Sequence, residues 1–341
     1  MPMILVTGGA GYVGSVLVKT LLENGNDVIC LDRFFFGEEV LSDLEGNSKL
    51  RLVKDDIRWF DPCILKNVDI VMDLAAMSND PAGELDPAKT FDINFLGRSR
   101  VARLSKEYGV KRYILSSSCS LYGYQNGISD ESTPLNPLTT YAKANMKAEE
   151  DIMPLSSPRF CVTVLRFATV YGFSRRMRFD LAINAMVLSL YKDNKIPLMR
   201  DGQQWRPFVH IRDVASAYDL VLKHTEDSVN GKVFNVGSND QNYQIMKLSE
   251  LIAESVGTEG YQIDWYGSPD FRSYKISFDK IKRELSFNTK YSPTDGADEI
   301  YKALTTGDLL DTVKTRTVEW YKYLIECQRV SQSVSLRGTI I

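Results

Sequence analysis

The chain has 341 residues, enough at roughly 150 residues per domain for two domains or one large domain with a lobe. Hydrophobic residues make up 44% and charged residues 25%, with a formal net charge of −3, so neither a disordered chain nor a basic nucleic-acid-binding surface is expected. No apolar run approaches the ~20 residues that a bilayer span needs, which argues against a membrane protein.

In chain order, Met3–Thr7 is a continuous apolar run and reads as the first strand. Glycines follow, then Val13, Leu17, Val18, Leu21 and Leu22 at helical spacing, closed by Gly25-Asn26. Strand-like runs recur at 27–31, 51–54, 69–74, 112–116, 162–166 and 233–236. Helical stretches lie between them, among them 88–108 and 140–152. Nearly all-apolar strands alternating with helices predict an α/β fold with a doubly wound parallel sheet, covered on both faces. After about Gly172 the alternation gives way to short strands, Pro and Gly turns and isolated helices, which predicts a smaller lobe. The polar end of the chain is expected to fray.

Cys30, Cys63, Cys119, Cys161 and Cys327 are scattered and lack CxxC spacing, a pattern of reduced thiols. With His210 and His224 as the only histidines, no ligand set for a metal is evident. The first strand begins within a few residues of Met1 and no charged leader precedes it, so a cytoplasmic protein is expected.

Gly9-Ala-Gly11-Tyr-Val-Gly14 fits G-x-G-x-x-G, with Gly8 just ahead. It follows a predicted strand and opens a predicted helix, where backbone N–H groups and the helix dipole hold a pyrophosphate. Asp32 ends the second strand, 18 residues past Gly14, where an acid accepts from an adenosine ribose and repels a 2′-phosphate. The cofactor read from this pattern is NAD rather than NADP, with Arg33 beside Asp32 softening the preference.

Further motifs follow: Asp55-Asp-Ile57, Leu74-Ala-Ala76, Asn94-Phe-Leu-Gly97, Ser116-Ser-Ser-Cys-Ser-Leu-Tyr-Gly123, a tyrosine opening a helix in Tyr141-Ala-Lys-Ala-Asn145, Arg166-Phe-Ala-Thr-Val-Tyr-Gly172, Arg206-Pro-Phe-Val-His-Ile-Arg-Asp-Val214 and Phe234-Asn-Val-Gly237. With the glycine turn they resemble the extended short-chain dehydrogenase/reductase family, the NAD-dependent epimerase/dehydratases that act on nucleotide sugars. The resemblance runs from about Met3 to about Leu310. It implies a Rossmann domain at 1–172 to which 205–237 return, a substrate lobe at 173–204 and 238–320, and a tail at 321–341. It also implies that Gly8, Gly11, Tyr12, Val13, Gly14, Asp32, Arg33, Asp56, Ile57, Leu74, Ala75, Ala76, Asn94, Ser116, Tyr141 and Asn145 hold NAD. Tyr141 is then the general acid/base, and Ser118 is the hydroxyl that bonds the same sugar oxygen.

A phenol near pKa 10 is a poor base at neutral pH and needs a nearby cation. The family supplies one as a lysine four residues after the tyrosine, which also holds the nicotinamide ribose. Here that position is Asn145, while Lys143 and Lys147 sit elsewhere on the helix. On the sequence alone, Asn145 bonds the ribose without contributing charge, and Asn145→Lys is expected to raise turnover. A slow or non-catalytic NAD-binding module is the alternative this departure leaves open. Asp73 stands where the family usually carries a histidine.

Arg206 matches the family's diphosphate-binding arginine and Arg272 the second one, from the C-terminal lobe. Ser120, Thr169, Arg178 and Asn184 occupy further substrate positions, and Thr169 stands where many members carry Asn. The segment 166–184 resembles a subgroup that oxidises or reduces GDP-heptoses. Family dehydratases carry Asp-Glu directly after the catalytic hydroxyl; Cys119-Ser120 here disfavours dehydration. The expected protein is a homodimeric oxidoreductase or epimerase of a nucleotide-diphosphate sugar that works through a keto-sugar. Simple dehydrogenation or reduction without inversion stands beside epimerisation.

Overall fold

Seven parallel strands form the central sheet of the computed structural model, which describes residues 2–268, 270, 272–336 and 338–339. They are β1 (Met3–Thr7), β2 (Asp27–Asp32), β3 (Leu50–Lys54), β4 (Ile70–Asp73), β5 (Arg112–Ser118), β6 (Cys161–Phe167) and β7 (Lys232–Val236). Their spatial order is β7-β6-β5-β4-β1-β2-β3. The chain therefore starts in the middle, runs outward through β2 and β3, and returns to the other side of β1 at β4. Ligands of such sheets sit at this reversal, outside the carboxyl ends of the strands.

The helices that frame the sheet and the lobe include α1 (Tyr12–Glu23), α2 (Asp80–Gly83), α3 (Pro87–Phe91), α4 (Arg98–Glu107), α5 (Thr140–Ile152), α6 (Ala182–Asp193), α7 (Ile211–Lys223), α8 (Ile245–Ser255), α9 (Pro293–Thr306) and α10 (Thr317–Val334). One sheet face buries Leu17 and Val18 of α1 with Val214 and Tyr218 of α7. The other buries Val101 and Ala102 of α4 with Ala148 and Ile152 of α5. This two-sided burial is why the strands read as unbroken apolar runs.

A third core belongs to the lobe, where Ile183, Val187, Leu248, Ile252, Ala297 and Ile300 of α6, α8 and α9 pack together. Trp205–His210 pairs with Thr169–Tyr171 on one side and with Asn242–Gln244 on the other. Lys195–Met199 pairs with Gln262–Tyr266. Of the segments read with the N-terminal domain, 232–236 joins the central sheet beside β6.

Two stretches differ from their sequence reading. The helical run 88–108 is not continuous: a π-helical turn at Asp92–Gly97 separates α3 from α4. Asn94 pins that wide turn, accepting from Met77 N and donating to Met77 O at 2.8 and 3.1 Å. The segment 321–341, read as a tail that frays over 331–338, is helical in α10 up to Val334. Trp320 Nε1 donates to Phe35 O at 2.7 Å, and Tyr321 packs on Phe35 and Phe36. Polar residues beyond this patch masked the signal that it carries.

The start of α1 is closely fitted. A Cβ on Gly14 would lie 2.1 Å from Gly8 O and 2.7 Å from Gly9 Cα, backbone atoms that cannot swing away. Gly14→Ala is expected to cost about 1–3 kcal/mol in denaturant unfolding and to weaken NAD binding more than tenfold, read by titration calorimetry.

Candidate active site

A cavity of about 1010 Å³ opens over the carboxyl ends of the strands, lined from both the sheet and the lobe. At one end is the glycine turn. Gly8 has φ +68°, and a Cβ there would lie 2.8 Å from Ala75 N, so both conformation and space require glycine. Gly11 caps α1 without a side-chain bond, which leaves the first-turn N–H groups without helical acceptors. These donors, with the positive end of the helix dipole, fit a pyrophosphate.

Asp32 lines the same end. Its carboxylate accepts from Ala10 N and Phe34 N at 3.0 and 2.8 Å. Burial raises its pKa, and these backbone bonds oppose the rise. Arg33 turns to Asp56, at 2.6 Å, and lies over Phe35. It is thus engaged by a carboxylate of the protein, which fits NAD better than a cofactor carrying a 2′-phosphate.

At the centre lie Ser118 and Tyr141. Ser118 ends β5 and its Oγ accepts from Ser120 N at 3.1 Å. Tyr141 enters from the first turn of α5, a helix capped by Thr139, whose hydroxyl accepts from Ala142 N. Gly83 of α2 sets the tyrosine's depth, since a Cβ there would come within 3.0 Å of Tyr141 Cβ. Burial pushes the Tyr141 phenol above its ordinary value; the positive charge of Arg98 is the largest influence lowering it, and Asp80 raises it. Ser120 lines the cavity, and its buried hydroxyl has no partner among the described residues. Cys119 is buried, donates to Arg166 O, and has its thiol pushed up by burial, so it is no nucleophile.

At the lobe end Arg206 and Arg272 converge on one carboxylate. Arg206 Nη2 lies 2.7 Å from Asp270, Arg272 Nε 2.8 Å from the same group, and Arg272 Nη1 also pairs with Asp80. Two planar cations are held in a fixed orientation, and two carboxylates balance their charge.

The NAD dependent epimerase/dehydratase family profile matches residues 4–237. The chain belongs to this family. It is 30% identical to the UDP-glucose 4-epimerase of Lactobacillus helveticus over 277 residues, 75% of this chain and 82% of the relative. It is 25% identical to the UDP-glucuronate 4-epimerase of Thermodesulfobacterium geofontis, over 96% of this chain and 98% of the relative. Among solved structures, MoeE5 in complex with UDP-glucuronic acid and NAD superposes with a TM-score of 0.78 at 25% identity, over 90% of this chain and 99% of that one. The UDP-glucose 4-epimerase of Thermotoga maritima with UDP-glucose gives 0.78 at 25%, over 90% and 100%. The protein is therefore an NAD-dependent enzyme of the extended short-chain dehydrogenase/reductase type, with the doubly wound sheet of that class.

Within this epimerase/dehydratase fold, Gly8, Gly11, Tyr12, Val13, Gly14, Asp32, Arg33, Asp56, Ile57, Leu74, Ala75, Ala76, Ser116, Ser118, Ser120, Tyr141, Thr169, Arg178, Arg206 and Arg272 all line the one cavity. Asn94, Asn145 and Asn184 lie outside its lining. Asn94 holds the π-helical turn. Asn184 accepts from Gly172 N and donates to Tyr12 OH and Arg178 O, tying α1 to the lobe. Asn145 is 1% exposed; its Oδ1 accepts from Arg98 Nη1 at 2.8 Å and its Nδ2 donates to Tyr141 O at 3.0 Å.

Sequence reasoning missed Arg98, Asp80, Asp270 and the inner face of α10. Tyr321, Leu324, Ile325 and Gln328 line the cavity and recur at helical spacing, a signal that was present. Arg98 opens a run with Arg100 and Arg103 that reads as a solvated face.

Asp56 gives a pH test of the cofactor end. Burial raises its pKa, but hydrogen bonds from Arg58 and Arg33 outweigh this and hold it at about 2. Its contribution to stability is complete above the unfolded value of 3.8 and is lost as pH falls through the folded value. Asp56→Asn is expected to flatten that part of the acid limb in denaturant titrations.

Proposed function

We propose that the protein epimerises a nucleoside-diphosphate sugar through a transient keto-sugar. One observation carries this reading: the glycine turn, the Ser118–Tyr141 pair and the Arg206–Arg272 pair line one cavity. The arginines would clamp the diphosphate and so fix which sugar carbon reaches the tyrosine. Ser118 would hydrogen-bond the sugar oxygen that is to become a carbonyl, and Tyr141 would take its proton and later give it back. NAD, when bound, supplies the acceptor and donor of the sugar hydride. Gly11 and the start of α1 would hold its pyrophosphate, and Asp32 its adenosine ribose. With Cys119-Ser120 after Ser118, the carboxyl acid/base pair used for dehydration is missing at those positions.

The relatives named above act on UDP-sugars by their descriptions, so UDP-hexoses come first as substrates. The likeness of 166–184 to GDP-heptose enzymes keeps GDP-heptoses in the same test. A homodimer built on α4 and α5, a cytoplasmic location and a place in carbohydrate biosynthesis belong to the same reading. Light scattering at twice the mass of the chain is the expected result for the dimer.

The deciding experiment mixes protein, NAD and UDP-, GDP-, dTDP- and CDP-sugars, following NADH absorbance and sugar NMR together. A new epimer without net NADH is expected. NADH accumulating with a keto-sugar would replace epimerisation by dehydrogenation, and binding without turnover would leave a binding module. Tyr141→Phe is expected to lower kcat by roughly 10²–10⁴-fold. Arg272→Ala is expected to raise KM at least tenfold with a smaller change in kcat. Because the Tyr141 phenol is raised above its ordinary value, its base form is scarce at neutral pH and the oxidation rate should climb as pH rises.

A further inference from the structure

Two residues depart from the family pattern near Tyr141, Asp73 and Asn145, and Arg98 contacts both. Arg98 is 1% exposed and Asp73 fully buried. Arg98 Nη1 donates to Asn145 Oδ1 at 2.8 Å, and Nη2 donates to Asp73 O at 2.9 Å and to Ser116 O. Its Nε lies 3.7 Å from the Asp73 carboxylate and has no hydrogen-bond partner among the described residues. Asp73 is further held by Thr7 Oγ1 at 2.5 Å and by Tyr113 OH.

Arg98 also lines the cavity that Tyr141 and Ser118 line, whereas Asn145 does not. Asn145, which Arg98 bonds, also bonds the Tyr141 backbone, so the lining on this side of the tyrosine includes a permanent cation. Asn145 suits it because an amide oxygen accepts from a guanidinium. An ammonium at the same place would set two positive charges against each other in a site with little water.

We infer that Arg98, fixed by Asp73 and Asn145, supplies the positive charge that favours the base form of Tyr141, so that the activating cation comes from α4 rather than from the tyrosine's own helix. This rests on the proposed proton-transfer role of Tyr141. Arg98 is a positioning residue here, acting through Asn145 and through its field. It is also the largest charge influence lowering the Tyr141 pKa. The other charged groups around the phenol are Asp80 of α2 and Arg178 before α6. Around the guanidinium lie Asp73 of β4, Tyr113 of β5 and, through Ser116, Tyr218 of α7. The expectation that Asn145→Lys raises turnover is thereby reversed: alone, it should destabilise the fold and lower the rate.

The test reads Tyr141 directly, by NMR of isotope-labelled tyrosine in the NAD-bound protein, with the signal assigned by its loss in Tyr141→Phe. It needs no turnover, so failure to find a sugar substrate would count against the proposed function and leave this result intact. In Arg98→Gln, ionisation should move up by about one pH unit or more, equivalent to a tenfold smaller phenolate fraction. Arg98→Lys, and Arg98→Gln combined with Asn145→Lys, should bring it back. Asp73→Asn, which removes the opposing carboxylate, should move it down, and this variant decides the matter if Arg98→Gln does not fold. Folded, NAD-binding variants whose Tyr141 titrates as in the wild type would overturn the inference.

Discussion

A guanidinium shut off from water must have its charge answered within the protein, and Arg98 is answered by groups from two strands and a helix. Asp73 O and its carboxylate end β4, Ser116 O lies on β5, Asn145 comes from α5, and Thr7 of β1 holds Asp73 in turn. Removing one partner of such a buried pair typically costs 3–5 kcal/mol. It also sits where the chain reverses direction between β1 and β4. The same Thr7 hydroxyl accepts from Leu74 N and Ala75 N, so the loop beside the glycine turn is registered by the network that holds the charge.

That placement couples the two halves of the site. The cofactor end is made of backbone: a left-handed glycine, an uncapped helix start and a carboxylate fixed by amide donors. The substrate end is made of side chains from the lobe, where Asp270 orients Arg206 and Arg272 and Asp80 adds a second counter-charge. An uncompensated pair of cations would attract any polyanion. A balanced, oriented pair instead favours a ligand whose oxygens match its geometry, which is the behaviour expected toward a diphosphate in a defined pose.

The sheet was legible because its inner strands are buried on both faces and therefore mostly apolar, the edge strand Leu50–Lys54 being the exposed exception; Met3–Thr7 and, among the helices, Thr140–Ile152 are observed as read. The glycine turn was legible because steric need leaves no alternative to glycine at Gly8 and Gly14. What escaped were interactions between residues far apart in sequence. Arg98 lies in a run with the half-buried Arg100 and the exposed Arg103, and nothing local marks it as the one buried beside Tyr141's helix. Asn145 reads as a loss of charge until its partner is known. The inner face of α10 was overlooked because polar residues dominate the end of the chain.

The most direct test of the central claim uses whichever nucleotide sugar turns over, carrying deuterium on the ring carbon to be oxidised. Turnover should slow with the deuterated sugar, and the deuterium should return to the same carbon in the inverted product. Loss of the label to solvent, or an equal rate with both isotopes, would mean that this carbon–hydrogen bond is not cleaved and returned as a hydride, and would contradict the account.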